Sequence, residues 1–128
     1  MNKLCKKKME QASGAEGKHC IGEIYGANSN LLDDEEFICR ALREAAMQSG
    51  ATLLKIGSHK FHPQGVTAFA LLAESHISIH TWPELQYANL DAFTCGIHTN
   101  PEKAFAVLKE LFRATSSHSK TIKRTYFG

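Results

Sequence analysis

Leu71 to Cys95 reads LLAESHISIHTWPELQYANLDAFTC. Ile77 and Ile79 alternate with His76, Ser78 and His80, the period-two pattern of a half-buried strand. Ala88, Leu90, Ala92 and Thr94 alternate in the same way with Tyr87, Asn89, Asp91, Phe93 and Cys95, and Trp82-Pro83-Glu84-Leu85-Gln86 between them reads as a turn. An antiparallel hairpin is therefore predicted. Pairing across that turn sets His80 opposite Asn89, Ser78 opposite Asp91 and Glu74 opposite Cys95. Alternation then puts His76, Ser78 and His80 on one face with Asn89, Asp91, Phe93 and Cys95. Cys95 is expected beside the Glu74-Ser75 peptide bond, with His80 on the same side and within reach. The stretch is read as a reactive centre.

Outward from the hairpin, Val66 to Ala73 is an almost unbroken apolar run of strand length, and Ala51 to Phe61 is a second strand, separated from it by the turn Pro63-Gln64-Gly65. Upstream, Asp33 to Ser49 is predicted to be a helix, because Phe37, Ile38, Ala41, Leu42 and Ala45 recur at helical spacing. Asp33 with Glu36 resembles a capping box, and Gly50 can take the left-handed stop. His19 to Ala27 is a first strand. Downstream, Asn100-Pro101 opens a second helix with Ala104, Val107, Leu108, Leu111 and Phe112 on its apolar face, and a weak last strand is placed around Thr121 to Phe127. Strand, helix, two or three strands, helix and a possible strand predict an α+β two-layer sandwich, a mainly antiparallel sheet with two helices on one face. The other face then needs a cover, and a homodimer is the economical one.

The 128 residues fit a single domain, and 43% hydrophobic with 22% charged residues is ordinary globular composition. Residues 1–16 mix Lys, Gln, Ser, Gly and Ala without period and are expected to be a flexible N-terminal tail, with the domain spanning 17–128. No apolar run approaches the roughly 18 residues of a membrane span, and the start lacks the apolar segment of a signal peptide, so a cytoplasmic protein is expected. Cys5, Cys20, Cys39 and Cys95 form no CxxC pair and are expected to be free thiols. The net charge of +2 is nearly balanced. The basic residues at the two ends have no interleaved aromatics, so no nucleic-acid partner is predicted. With neither HExxH nor a Cys/His ligand spacing, no metal is predicted.

Taken singly, the reactive-centre residues have plainer explanations: a strand-end hydroxyl in Ser75, hydrogen-bonding imidazoles in His76 and His80, a small buried thiol in Cys95. Their convergence by register favours chemistry. The run Glu74-Ser75-His76-Ile77-Ser78-Ile79-His80-Thr81-Trp82-Pro83-Glu84, followed by Phe93-Thr94-Cys95-Gly96, resembles the signature of the prokaryotic S-adenosylmethionine decarboxylase proenzymes. Phe61-His62-Pro63-Gln64-Gly65-Val66 and Gly17-Lys18-His19 are similar too, and the likeness runs approximately from Gly17 to Ala114. Some relatives carry Ser where Thr67 stands here, which keeps the hydroxyl.

The resemblance implies a pyruvoyl-dependent enzyme that cuts its own chain between Glu74 and Ser75. Ser75 would become the pyruvoyl group, a covalent cofactor that forms a Schiff base with S-adenosylmethionine and acts as the electron sink for decarboxylation, in the service of spermidine and polyamine synthesis. It implies His80 as the proton acceptor in processing and Cys95 as the proton donor in decarboxylation. It also implies Phe61 stacked on the adenine, Glu84 holding the ribose hydroxyls, and Trp82 nearby. Two other readings stay open: a pyruvoyl-dependent ornithine or arginine decarboxylase, and a non-catalytic α/β dimer that uses its His-rich face for binding.

Overall fold

The computed structural model describes residues 16–126; the expected tail lies almost wholly outside them, as do Cys5 and the last two residues. The elements, in order, are β1 (Gly17–Tyr25), a one-turn helix α1 (Ser29–Leu32), α2 (Glu35–Gln48), β2 (Leu53–Lys60), β3 (Val66–Leu72), β4 (His76–Trp82), a 3₁₀ turn (Pro83–Leu85), β5 (Tyr87–Cys95), α3 (Pro101–Leu111) and β6 (Ser116–Arg124). Four strands, not two or three, stand between the long helices. All neighbouring strands run antiparallel in a single sheet of order β2-β3-β4-β5-β1-β6. The last strand starts earlier than its sequence indicated and pairs along the whole of β1.

Alternation sorts each strand into two faces. Ile77, Ile79, Ala88, Leu90, Ala92, Ala68, Ala70, Cys20 and Ile24 point to the helix layer and are buried with Ile38, Leu42, Ala45, Leu108 and Phe112. The opposite face carries His19, Phe69, Leu71, His76, Ser78, His80, Trp82, Asp91, Phe93 and Cys95, and no helix among the described residues covers it. Phe69 and Leu71 are each 43% exposed and Trp82 37%, so this face presents a broad apolar surface. No described helix is long and apolar enough to cross a membrane.

The helix ends follow local chemistry. Asn100 caps α3 by accepting from the Lys103 N–H at 3.1 Å, with Pro101 at the first helical position. The cap of α2 is Asp34, whose carboxylate accepts from the Phe37 N–H at 3.0 Å; the expected capping residue, Asp33, is one place too early. Asp33 is displaced from that role by α1, which ends on it and which the sequence reading missed. Its carboxylate instead accepts from Lys60 Nζ and from the Gly65 N–H, both at 2.8 Å, and so fastens the β2–β3 turn to the helix layer. Buried Thr81 adds a second tie: its hydroxyl donates to the Leu32 carbonyl at 2.7 Å and accepts from the Val66 N–H at 2.9 Å.

The hydrogen bond from Lys60, with that from Gly65, holds the Asp33 carboxyl below its ordinary value of 3.8. A depressed carboxyl contributes stability that is fully present above the unfolded-state value and is lost as pH falls through the folded one. Asp33→Asn should therefore destabilise the chain at pH 7, by less than about 1 kcal/mol because the pair is partly exposed. That difference should shrink in chemical denaturation as the pH is lowered from 7 through the folded-state value of the Asp33 carboxyl.

Candidate active site

The peptide bond singled out by the sequence lies at the tip of the β3–β4 hairpin. Leu72 and Ser75 close the turn by exchanging backbone hydrogen bonds, Leu72 N–H to Ser75 O at 2.9 Å and Ser75 N–H to Leu72 O at 3.2 Å. Only Ala73 and Glu74 lie between them. The short loop forces Ser75 to a φ of 156°, outside the main regions open to an L-residue. Across the β4–β5 ladder His76 pairs with Phe93, Ser78 with Asp91 and His80 with Asn89, the expected register. One step further along, the Cys95 thiol donates to the Glu74 carbonyl oxygen at 3.4 Å.

Glu74 is held at its other end as well. Its side chain is buried, 4% exposed. It accepts from the Thr52 N–H at 2.8 Å, from the Thr52 hydroxyl at 3.1 Å and from His98 Nε2 at 2.9 Å. Burial pushes this carboxyl up, but the hydrogen bonds from Thr52 and His98 together outweigh it and hold the group below its usual range. His98 reaches Glu74 because its loop is laid against the end of α2. Asn100 N–H donates to the Ser49 carbonyl at 2.9 Å, and a Cβ on Gly50, whose φ is +81°, would stand 2.4 Å from the His98 carbonyl oxygen. Sequence reading named neither Thr52 nor His98, because nothing in their local pattern reveals that two loops distant in the chain meet at the hairpin tip.

His80, Trp82 and Phe61 lie towards the far end of the same face, and Glu84 follows in the 3₁₀ turn. His80 Nδ1 shares a hydrogen bond with the Thr67 hydroxyl at 3.1 Å, and Thr67 is in turn paired with His59 of β2. Trp82 lies on the open face against Tyr87, with ring centroids 5.4 Å apart. Glu84 is exposed in the 3₁₀ turn, and Phe61, 46% exposed, follows β2 with its ring edge-on to His59 at 4.6 Å. His80 is thus not within reach of the Glu74-Ser75 bond of its own chain. It stands five residues further along β4, about 16 Å at the rise of an extended strand.

Between the two ends sits a cluster that sequence reading did not assemble. His19 Nε2 is hydrogen-bonded to Asp91 Oδ1, and His76 completes a set whose donor atoms all lie within 4.8 Å of one another. Burial, offset in part by Asp91 and reinforced by His19, lowers the pKa of His76 below its usual value. The three residue types are those that hold a divalent cation, but the direct His19–Asp91 contact already engages two of the donor atoms. His19 alternates visibly on β1; what its sequence lacks is any sign that β1 lies beside β5.

Chemically, the hairpin tip combines a hydroxyl residue, the carbonyl that precedes it and a thiol donating to that carbonyl. The far end offers an imidazole steadied by a hydroxyl, two exposed aromatic rings and a carboxylate. Comparison with known proteins identifies the family. The family model for S-adenosylmethionine decarboxylase matches residues 18–125. An S-adenosylmethionine decarboxylase proenzyme of Parasynechococcus marenigrum is 55% identical over 108 residues, covering 84% of each chain. One from Methanococcus aeolicus is 47% identical, covering 84% of this chain and 92% of its own. The crystal structure of the adenosylmethionine decarboxylase from Aquifex aeolicus superposes with a TM-score of 0.82 at 29% identity, covering 91% of this chain and 96% of that one. The chain belongs to the S-adenosylmethionine decarboxylase family.

Proposed function

We propose that this chain is a self-processing enzyme that decarboxylates S-adenosylmethionine to S-adenosylmethioninamine for polyamine synthesis, and that its pyruvoyl cofactor is made from Ser75. The supporting observation is the Glu74 carbonyl, fixed at the hairpin tip with the Cys95 thiol on its oxygen and Ser75 next in the chain. In processing, the Ser75 hydroxyl adds to that carbonyl carbon, the amide becomes an ester, and the proton passes to the freed amine. Removal of the Ser75 α-proton then expels the Glu74 carboxylate, and hydrolysis of the resulting enamine, through its imine, releases ammonia. The pyruvoyl group so formed supplies the electron sink for loss of carbon dioxide. Cys95, already beside the cut end, is the residue that returns a proton to the product carbon.

The second half of the site comes from another copy of the chain. His80 is assigned as the base that takes the α-proton, yet it stands about 16 Å along the strand from Ser75 of its own protomer. A two-fold dimer that packs open face on open face in opposite directions brings each His80 end over the partner's hairpin tip. It also covers Phe69, Leu71 and Trp82, which a free protomer leaves in water. In that arrangement Thr67 holds the His80 ring, Phe61 stacks on the adenine with Trp82 nearby, and Glu84 accepts from the ribose hydroxyls. Aromatic faces also suit the sulfonium charge. The free thiols Cys20, Cys39 and Cys95 suit a reducing compartment, so we place the enzyme in the cytoplasm.

Denaturing mass spectrometry of an active preparation should find two chains parted before residue 75, the second carrying a carbonyl reducible by borohydride. A single intact species with full activity would overturn the reading. Ser75→Ala should remain intact and inert. Carbon dioxide should be released from labelled S-adenosylmethionine and not from ornithine or arginine; the opposite preference would select the amino-acid decarboxylase reading instead. For the assembly, Phe69→Asp combined with Leu71→Asp should turn a sedimenting dimer into a monomer. Unsubstituted protein that sediments as a monomer would contradict the shared site.

A further inference from the structure

Processing requires the Glu74 carbonyl to stay in one orientation while its C–N bond breaks, and a two-residue hairpin tip is a poor place to find such rigidity unless something grips it. The Glu74 side chain supplies the grip. It is buried, and its carboxylate is tied to Thr52 by N–H and hydroxyl and to His98 by Nε2, while the Ala73 N–H donates to the Thr52 carbonyl at 2.9 Å. The carbonyl of the same residue meets Cys95 at 3.4 Å. With both its ends fastened to different loops, Glu74 has little rotational freedom left.

We propose that Thr52 and His98 are positioning residues for self-processing, which hold the buried Glu74 carboxylate so that the adjoining carbonyl is presented to the Ser75 hydroxyl. The step they assist is the acyl shift: Ser75 Oγ bonds to the Glu74 carbonyl carbon, the C–N bond to Ser75 breaks, and the hydroxyl proton ends on the freed amine. Neither residue touches the reacting atoms. The same grip keeps the cut end of the upstream chain in place once the bond is broken, because the carboxylate contacts do not pass through that bond. This inference rests on the proposed cleavage between Glu74 and Ser75.

The test follows processing of the freshly made full-length chain by mass spectrometry, with and without hydroxylamine, which cleaves an ester but leaves an amide intact. His98→Ala changes an exposed loop residue, its side chain 43% accessible, so the fold should survive. It should slow the appearance of cut chain about tenfold, and His98→Ala with Thr52→Val about a hundredfold, the loss expected for hydrogen bonds to a charged group. Hydroxylamine should not speed either variant, since ester does not accumulate when the acyl shift is slow. His98→Gln, which keeps a donor, should recover most of the rate. Turnover per cut chain should stay within about twofold of the unsubstituted enzyme.

Unchanged processing in His98→Ala would overturn the proposal. So would rapid cutting by hydroxylamine, which would put the defect after the shift, or a loss of turnover per cut chain equal to the loss of processing, which would mean general damage. An unsubstituted chain that is never cut before residue 75 would instead remove the cleavage reading itself, and with it this inference.

Discussion

Everything in this molecule depends on the antiparallel register of β4 and β5. With His76 opposite Phe93, the thiol at the end of β5 falls on the carbonyl that precedes Ser75. A slip of one residue would reverse every side chain, turning Ile77 and Ile79 to water and burying His80. The core therefore enforces the register that the chemistry needs. Two fully buried isoleucines on one side of β4 fix what the polar residues on the other side can meet. The cost of misplacing both, at roughly 1.5–3 kcal/mol for each large aliphatic side chain, together exceeds that of a typical single polar contact at the site.

The same strand is the reason for proposing that one copy of the chain is not enough. A strand is straight on the scale of a few residues, so groups five positions apart cannot converge however flexible their side chains are. Ser75 and Cys95 occupy one end of the open face and His80, Thr67, Trp82 and Phe61 the other. That separation, together with an apolar face that no described helix covers, is the ground for the proposed arrangement of two sheets stacked in opposite directions, each lending its far end to its partner. In that proposed arrangement, burial of the face and completion of the site would be a single event. Under that proposal a lone chain would lack the base for the irreversible elimination until it had found a second copy.

Much of this was legible in the residues. Alternation in Ile77-Ser78-Ile79-His80 and in Ala88 to Cys95 carried the strands, the turn between them and the pairing partners, because side-chain period and turn length leave little freedom. Helix α3 was equally plain from Asn100-Pro101. Asp33 misled because two aspartates stand side by side and only the presence of α1 decides which one caps. The supposed closeness of His80 to Ser75 came from reading a shared face as a shared place. Faces follow from periodicity, but distance along a strand must be counted separately. Thr52, His98 and the His19–Asp91–His76 cluster were invisible for a different reason, since each depends on which loops or strands become neighbours in three dimensions, and local pattern carries no such information.

The central claim is a site shared between two copies, and hybrid dimers test it most directly. A tagged Ser75→Ala chain lacks the residue to be cut, and a His80→Ala chain lacks the base; each should stay intact when made by itself. Made together and purified through the tag, the pair contains one site with an intact Ser75 from one chain and an intact His80 from the other. Mass spectrometry should then find the His80→Ala chain cut before residue 75 and the Ser75→Ala chain whole. If hybrid dimers form and the His80→Ala chain remains uncut, or if that chain is cut as readily without its partner, the shared site is contradicted.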